Sequence, residues 1–335
     1  MRKLLLLLLL ILIFSLPSFF WWGNVSGPAD IKDKTPRSFL ITKGQSAGSI
    51  AKKLAGSGLI KSELAFRFYT QLTGREKAIQ AGNYEISPNL SLKEMVSVLM
   101  AGPKEIWVTY PEGLRREEIA IRTIKTLNIE GEEAVLFWSE FMRESEGFEG
   151  FLFPETYLFS RDITAKKVFN KLRSTFDVKV TDKMRDDAKA GGMTVEQVVA
   201  LAAVIERETK TEEERPVVSG ILRKRLEARM PLQVDATLQY LTGNKRCGTN
   251  PKQPPLNCSW WQPPTAEDKK LQSLLNTYTN RGLPPSPIAN PGLSSLKAAI
   301  YPEDSPFWYY LHGKDGKIRY AKTLEEHNEN IRKYL

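Results

Sequence analysis

The sequence predicts an α+β protein with an N-terminal transmembrane helix, a small α/β unit and a larger mixed α/β domain. Three observations lead to this prediction. The chain begins with a long uncharged apolar run, short strand-like and helix-like segments alternate over residues 38–105, and amphipathic helices mix with aromatic and proline-rich segments thereafter. A chain of 335 residues is long enough for two modest domains.

The apolar run predicts a membrane anchor. Residues 4–22, LLLLLLLILIFSLPSFFWW, carry no charge and follow Arg2 and Lys3. A helix needs about 20 such residues to span a bilayer, and the two closing tryptophans suit the membrane interface. We expect residues 1–22 to be a cytoplasmic tail and single-pass anchor with the N-terminus inside, followed by a linker at 23–37 and a region outside the cytoplasmic membrane. The alternative is a cleaved signal peptide, for which only a poor cleavage site is present.

The charge balance limits the class of partner. The net charge is +9, which suits nucleic acid, an anionic membrane surface or an acidic polymer. The sequence contains no RGG tract, zinc finger or RNP motif, so binding to nucleic acid is not expected.

The cysteines and histidines argue against a metal centre. Cys247 and Cys258 bracket the loop-like stretch GTNPKQPPLN without a CxxC motif, and His312 and His327 lack the HExxH pattern. We expect the two cysteines to form a disulfide, with two free thiols as the alternative. Neither a metal nor a cofactor is expected, and no GxSxG motif supports a serine hydrolase.

The small unit alternates strands and capped helices. SFLITKG predicts a strand and turn, and residues 46–55 carry apolar residues at helical spacing. A second helix is expected from the N-cap Ser62, AGNYEIS predicts a second strand, and SLKEMVSVLMAG predicts a further capped helix. In the larger part, EIWVTYPEGLRREEIAIRTI predicts a strand, a turn and a helix. LQVDATLQY is interpreted as a strand that places Gln233, Asp235 and Thr237 on one side.

One helix carries a carboxylate on its apolar face. Thr194 and Gln197 form a capping-box pattern, and the apolar residues from 195 to 205 follow helical spacing. Glu206 projects onto that face, whereas Glu208 projects away and is expected to be far more exposed. Glu206 could pair with an arginine (Arg207, Arg215 or Arg223), could lie beyond the buried part of the helix, or could act as a general acid. Burial can raise the pKa of a glutamate from about 4.3 towards 6, which suits proton donation near neutral pH.

The motifs together resemble a known family. LAAVIERET, EGFLFPETY, LQVDATLQY, NTYTNRGLPPSPIANPGLSSLKAA and FWYYLHGKDGKIRYAKTLEEHN are similar to segments of the MltG/YceG-like endolytic murein transglycosylases. The resemblance extends over nearly the whole chain, and residues 38–105 correspond to a LysM-like unit. Residues 244–275 are longer than is typical of the family and contain both cysteines and two tryptophans. We hypothesise that this segment forms a disulfide-pinned lid or glycan rim.

The resemblance implies a bacterial, membrane-anchored lyase whose catalytic domain, residues 106–335, cuts peptidoglycan glycan strands internally. The bond is that between N-acetylmuramic acid and N-acetylglucosamine, and the product ends in 1,6-anhydro-N-acetylmuramic acid. Glu206 matches the catalytic glutamate and would act first as acid and then as base. Peptidoglycan is the expected substrate, termination of nascent strands the expected role, and peptidoglycan synthases the expected protein partners.

Ten further residues are predicted to contact substrate because they lie in the resembling motifs and carry aromatic or polar side chains. They are Phe153, Glu155, Thr156, Tyr157, Gln233, Asp235, Thr237, Asn276, Tyr278 and Asn290. A packed aromatic corner is the alternative for the first group. Two other functions also remain open: a conventional muramidase with Asp235 or Glu155 as second carboxylate, and a non-catalytic wall-binding scaffold.

Overall fold

The computed structural model describes residue 17, residues 19–248, residue 250 and residues 252–335. Residues 19–25 are helical, whereas most of the predicted anchor, residues 4–22, lies outside the described residues. The architecture is mixed α/β and agrees with the predicted α+β class. The chain forms two compact units, residues 1–107 with 157–162, and residues 108–156 with 163–335.

The first unit alternates strands and helices. Its elements are β1 (Arg37–Ile41), α1 (Ala47–Gly56), α2 (Glu63–Leu72), β2 (Gly82–Ile86) and α3 (Leu92–Ala101). β1 and β2 pair antiparallel, with Phe39 opposite Tyr84. The hydroxyls of Ser46, Ser62 and Ser91 cap the three helices by accepting backbone N–H bonds, and the caps at Ser62 and Ser91 confirm the sequence predictions.

Two further strands extend the sheet. β3 (Glu105–Thr109) and β4 (Thr156–Ser160) complete the strand order β1-β2-β3-β4, and Asn83 of β2 pairs antiparallel with Glu105 of β3. Each of these two strands has residues in both units. The LysM-like character of residues 38–105 stays a prediction.

The second unit is mainly helical. Its remaining elements are α4 (Arg116–Leu127), α5 (Gly131–Glu144), α6 (Ala165–Lys179), α7 (Asp182–Ala190), α8 (Val195–Glu208), α9 (Glu214–Glu227), α10 (Asp235–Cys247), α11 (Leu293–Ile300), β5 (Tyr309–His312), β6 (Ile318–Ala321) and α12 (Leu324–Tyr334). β5 and β6 form an antiparallel hairpin, and the terminal helix packs on both. The segment FWYYLHGKDGKIRYAKTLEEHN, which resembles the family, therefore contains this hairpin and the start of the terminal helix.

Helix α8 is the centre of the second unit. Its capping box is present, because Thr194 and Gln197 exchange side-chain and backbone hydrogen bonds. Every residue from 198 to 205 is buried, and α7, α9, α10 and α11 pack around the helix. A helix buried on all sides holds its C-terminal residues in fixed positions, which is what a precise site requires.

The strand predicted for LQVDATLQY is wrong. Helix α10 begins at Asp235, and Gln233 has a left-handed φ of 55° that no regular strand accommodates. The N–H groups of Gln233 and Val234 bond to the carbonyl and hydroxyl oxygens of Thr277 rather than to a neighbouring strand. The three-residue alternation was too short to distinguish a strand from the first turn of a helix.

Within the part of the chain that the structure describes, no single helix is long and apolar enough to cross a membrane. The consecutive helices α7 and α8, bent by 92°, meet the length and composition criteria only as a pair.

Candidate active site

Glu206 lies at the C-terminal end of α8, directly after the fully buried stretch. Its side chain is only 7% exposed. The predicted inward direction of this carboxylate is therefore confirmed. A buried carboxyl group requires hydrogen-bond partners, so the surrounding donors matter.

Three donors from two other helices converge on Glu206. Arg215 Nη2 on α9 donates to Oε1 at 2.9 Å, while the backbone N–H of Gly292 and the hydroxyl of Ser295 donate to Oε2 at 3.0 and 2.8 Å. Gly292 is the N-cap of α11, so the positive end of that helix also faces the carboxylate. Together these donors compensate for the burial of the Glu206 oxygens. Glu206 is thus held in place by three donors that reach both of its oxygens.

The sequence left open whether Glu206 pairs with an arginine. In the structure it does, and the arginine is Arg215. Arg223 bonds instead to Met193 and Gly191. The guanidinium of Arg207 lies 3.8 Å from the ring centre of Trp261.

A second carboxylate shares Arg215 with Glu206. Glu112 Oε2 lies 3.2 Å from the same Nη2 atom, and its side chain is 44% exposed. Burial raises the pKa of Glu112, the nearby charge of Glu206 raises it further, and Arg215 opposes both effects. The sequence analysis assigned no role to Glu112. The sequence feature that could have pointed to Glu112 is its position in the turn between β3 and α4.

The turn that carries Glu112 must approach α8 closely. Gly113 has φ +76°, and a Cβ there would lie 3.4 Å from side-chain atoms of both Glu206 and Arg207. The N–H of Gly113 also donates to the carbonyl of Asn290 at 2.9 Å. A glycine suits this position because the backbone is left-handed and the space is limited.

Asn290 is buried and holds backbone rather than facing solvent. Its amide donates to Leu114 O and Glu149 Oε1 at 2.9 and 2.8 Å, and its oxygen accepts from Leu152 N at 2.9 Å. Glu149 is buried with it, and burial together with the charge of Glu117 raises the pKa of the Glu149 carboxyl. The predicted substrate contact from Asn290 is corrected to a structural position.

Asn276 and Thr237 are structural for the same reason. The amide of Asn276 donates to the carbonyls of Lys269 and Leu271, and its oxygen accepts from Tyr278 N. Thr237 is buried beside Thr277, with 3.1 Å between the hydroxyls. Both side chains use their polar atoms inside the fold, which leaves none directed at a ligand.

Asp235, Gln233 and Tyr278 remain accessible. Gln233 and Asp235 are exposed, and Tyr278 is half-buried and donates its hydroxyl to Asp235 Oδ1 at 2.6 Å. The structure therefore brings Asp235 and Tyr278 together at the start of α10, as a polar edge that faces solvent.

The FLFPETY segment divides into buried rings and exposed polar groups. The rings of Phe153 and Tyr157 are buried, so the alternative of a packed aromatic corner describes them better than stacking on a sugar. Glu155 forms an exposed ion pair with Lys179 at 3.0 Å, and Thr156 contacts Thr109. Of these predicted residues, only Glu155 and Thr156 present polar groups to solvent.

Glu208 is not exposed, which corrects the sequence prediction. It is partly buried, and it accepts a hydrogen bond from the hydroxyl of Tyr310 at 3.1 Å. Burial raises the pKa of Glu208 to about 7, and the charge of Asp235 adds to this effect. The helical projection placed Glu208 away from the apolar stripe correctly, but the hairpin β5–β6 brings Tyr310 over that second face.

We expect Glu208 to make stability pH-dependent. A folded-state pKa of about 7 exceeds the ordinary unfolded value of about 4.3, so the folded protein binds the extra proton between these pH values. The stabilising contribution is complete below about pH 4.3 and is lost as pH rises through about 7. In urea unfolding experiments, the free energy of unfolding should therefore fall less for Glu208→Gln than for wild type as pH rises over this range. The exposed control Glu227→Gln should follow wild type, and equal slopes for all three proteins would contradict the assignment.

The cysteine segment packs against the residues that flank the site. Cys247 and Cys258 form a disulfide, as expected. Trp260 lies over the guanidinium of Arg115, and Trp261 stacks on Arg207 and donates its indole N–H to Glu118 at 2.9 Å. Because Arg207 directly follows Glu206, this contact places the segment close to the site. Its role as a lid or glycan rim stays a prediction.

Among the described residues, no cluster of three or more histidine, cysteine, aspartate or glutamate side chains is placed to hold a metal ion.

The fold is shared with a solved structure, and the sequence defines the family. A putative yceG-like protein from Listeria monocytogenes superposes with a TM-score of 0.59 at 28% identity, covering 88% of this chain and 99% of that one. The model of the YceG-like family matches residues 39–333. The chain belongs to the YceG-like family.

Two relatives carry a functional name. The endolytic murein transglycosylase of Bacillus subtilis (strain 168) is 26% identical over 340 residues, which cover 95% of this chain and 90% of the relative. The endolytic murein transglycosylase of Streptococcus pneumoniae (serotype 2, strain D39) is 25% identical over 343 residues, which cover 92% of this chain but 60% of that protein.

Proposed function

We propose that this protein is an endolytic murein transglycosylase, a lyase that acts on peptidoglycan glycan strands. Membership of the YceG-like family and the names of two relatives support the general activity. The observation that carries the proposal for this chain is the position of Glu206. A nearly buried carboxylate at the end of the central helix, beside the helix N-terminus of α11, is placed to exchange protons in a dry environment.

Glu206 acts twice in the proposed reaction. The protonated carboxyl first gives its proton to the glycosidic oxygen that leaves from C1 of N-acetylmuramic acid. The resulting carboxylate then takes the proton of the 6-hydroxyl as O6 bonds to C1. The C1–O bond is exchanged for another C1–O bond, no water is consumed, and the proton returns to Glu206. One carboxyl group is therefore sufficient, unlike the pair that ordinary glycosidases use.

A hydrolase with two carboxylates is the second candidate, and one observation favours it. Glu112 and Glu206 contact the same nitrogen of Arg215, which brings a second carboxylate into the site. The partners considered from the sequence are engaged elsewhere, since Asp235 bonds Tyr278 and Glu155 pairs with Lys179. Glu112 is therefore the better partner for a hydrolytic reaction.

The products distinguish the two candidates. Purified glycan strands digested with the full chain should yield 1,6-anhydro ends, each lighter by one water than a reducing end. Fragments of intermediate length indicate internal cutting. Reducing ends would establish the muramidase, and unchanged strands would favour the non-catalytic scaffold.

We further propose that residues 4–22 anchor the enzyme in the bacterial cytoplasmic membrane, with the catalytic region outside. The uncharged apolar sequence and the preceding positive charges support this orientation. A LysM-like unit at residues 38–105 would then bind glycan near the membrane surface. Such an enzyme could terminate nascent strands beside the peptidoglycan synthases.

A further inference from the structure

The site contains an apparent conflict that the Glu112–Glu206 pair resolves. The proposed reaction starts from a protonated Glu206, yet in the structure both oxygens of this group accept hydrogen bonds, one of them from the cation Arg215. A proton must therefore reach Glu206, and the positive charge of Arg215 must be withdrawn from it, before cleavage begins.

We propose that Glu112 and Glu206 share one proton, and that Arg215 pairs with whichever carboxyl is ionised. In the arrangement seen here, Glu112 stores the proton and Arg215 faces Glu206. When a glycan binds, the proton passes through solvent from the Glu112 carboxyl to the Glu206 carboxylate, and Arg215 shifts to Glu112. The charge of the three groups is unchanged, because one proton and one guanidinium are redistributed over two carboxyls. This inference rests on the proposed function, and Glu112 acts as a positioning residue.

The guanidinium of Arg215 has to move only a short distance to change partners. Its Nη2 atom lies 2.9 Å from Glu206 Oε1 and 3.2 Å from Glu112 Oε2, so a small movement changes which ion pair is the closer. A planar guanidinium binds a carboxylate best through two parallel N–H bonds, and here neither pair is of that kind.

Arg215 also has unused donors. Its side chain is buried, yet Nε and Nη1 have no hydrogen-bond partner among the described residues. The only further acidic contact is a loose one, from Nη1 to Glu212 Oε1 at 3.8 Å. Buried unsatisfied donors are costly, so the guanidinium gains from a position that engages them.

Glu112 lies at a cavity and in surroundings that favour its protonated form. It lines a cavity of about 420 Å³ together with Glu212 and Lys297. Burial and the charge of Glu206 raise the pKa of Glu112, and Glu212 adds to this effect while Arg215 opposes it. Glu112 and Glu206 both contact Arg215 Nη2, and two carboxyls held this close repel each other when both are ionised, which favours one shared proton.

The test is the pH profile of anhydro-end formation on purified glycan strands. Glu112→Gln can neither store the exchangeable proton nor attract Arg215, so we expect the rate at pH 7 to fall at least about tenfold. The alkaline limb of the profile should move to lower pH, with partial recovery of activity in mild acid. Glu112→Asp should retain the wild-type shape. Because Glu112 is partly exposed, neither change should prevent folding.

Arg215→Met is expected to move the alkaline limb of the pH profile in the opposite direction. Without the cation, protonation of the carboxyl pair becomes easier, so the alkaline limb should move to higher pH. A wild-type profile for Glu112→Gln, or an equal loss at every pH, would overturn the shared proton. Either result is distinguishable from failure of the proposed function, in which wild type itself makes no anhydro ends.

A separate observation concerns an exposed apolar face on the first unit. We propose that the outer face of α2, defined by Leu64, Phe68 and Leu72, lies on the bilayer. These side chains are 68%, 55% and 72% exposed and recur every fourth residue, which places them along one face of the helix. An apolar face of this kind, flanked by the exposed Arg67, is typical of helices at a membrane interface.

The position of the N-terminal segment is the reason for proposing that the bilayer, rather than another partner, covers this face of α2. The ring of Trp22 lies 5.9 Å from that of Phe68 and 6.3 Å from that of Tyr69, and Lys61 donates to the carbonyl of Asn24 at 3.2 Å. The apolar sequence of residues 4–22 ends at this contact, with Trp22. If that sequence enters the membrane, the face of α2 is brought to the same surface.

The full chain in phosphatidylglycerol-containing vesicles tests this surface. A fluorescent label on Phe68→Cys should be quenched by doxyl-labelled lipid and protected from iodide, whereas a label on the exposed control Lys93→Cys should respond to iodide only. Flotation of the vesicles reports the anchor independently. Equal iodide quenching at both positions would overturn the proposal, and protection without lipid quenching would assign the face to a protein partner instead.

Discussion

Replacing Glu206 with glutamine is expected to reduce glycan cleavage by at least about 10²-fold, the usual range for loss of a general acid–base group. Glutamine keeps the size of the side chain and an acceptor for Gly292 N and Ser295 Oγ, but it cannot carry the proton. Its amide also places donors against Arg215, so we expect a stability loss of about 1–3 kcal/mol. Initial rates of fragment release from purified strands measure the effect.

The matched control is Glu227→Gln, which changes an exposed glutamate near the end of α9. It should cleave at the wild-type rate and unfold at the wild-type urea concentration. Loss of activity that merely follows loss of folded protein in Glu206→Gln would remove the support for a chemical role.

Replacing Arg115 with methionine is expected to give the largest loss of stability, about 3–5 kcal/mol, as for other broken buried ion pairs. Arg115 is fully buried between the rings of Tyr240 and Trp260, at 3.9 and 4.4 Å. Its Nε donates to Glu117 at 3.1 Å, and it also bonds Asn244. The change leaves the buried Glu117 with only a loose contact to Arg116 at 3.7 Å.

Urea unfolding checks this prediction, with the exposed Arg143→Met as control, which should change stability by less than about 1 kcal/mol. The double variant Arg115→Met/Glu117→Gln should recover part of the loss, because it removes the unpaired charge. A loss below about 1 kcal/mol in the single variant would mean that the ring contacts and the ion pair contribute little.

The central helix and the direction of Glu206 were predictable because both depend on local information. The capping residues Thr194 and Gln197 and the apolar spacing define α8, and the same spacing turns Glu206 towards the interior. The serine-capped helices of the first unit were predictable for the same reason. Helix caps are short-range interactions, and one sequence is sufficient to recognise them.

The misplaced elements involve long-range contacts that the sequence does not encode locally. Gln233 bonds to Thr277, and Asn290 bonds to Leu114 and Glu149, each through the fold rather than along the chain. Polar residues in a rigid loop resemble ligand-binding groups whether they hold backbone or substrate. Asn276 and Asn290 were therefore predicted as substrate contacts, although the structure buries them.

The charge state of the site was also beyond sequence reasoning. Glu112 lies 94 positions before Glu206 in the printed numbering, and only the packing of its turn against α8 joins them through Arg215. Glu208 was expected in solvent because nothing in its helix predicts that Tyr310 covers it. The contacts of Glu112 and Glu208 both depend on tertiary packing, because the turn of Glu112 and the hairpin residue Tyr310 reach α8 from distant parts of the chain.

Mass spectrometry of glycan ends, with wild type and Glu206→Gln compared on the same purified strands, tests the central claim most directly. We expect wild type to produce internal fragments with 1,6-anhydro ends and Glu206→Gln to produce at most about one hundredth as many in the same time. Equal amounts of anhydro ends from both proteins would contradict the account, because cleavage would then not require the Glu206 proton.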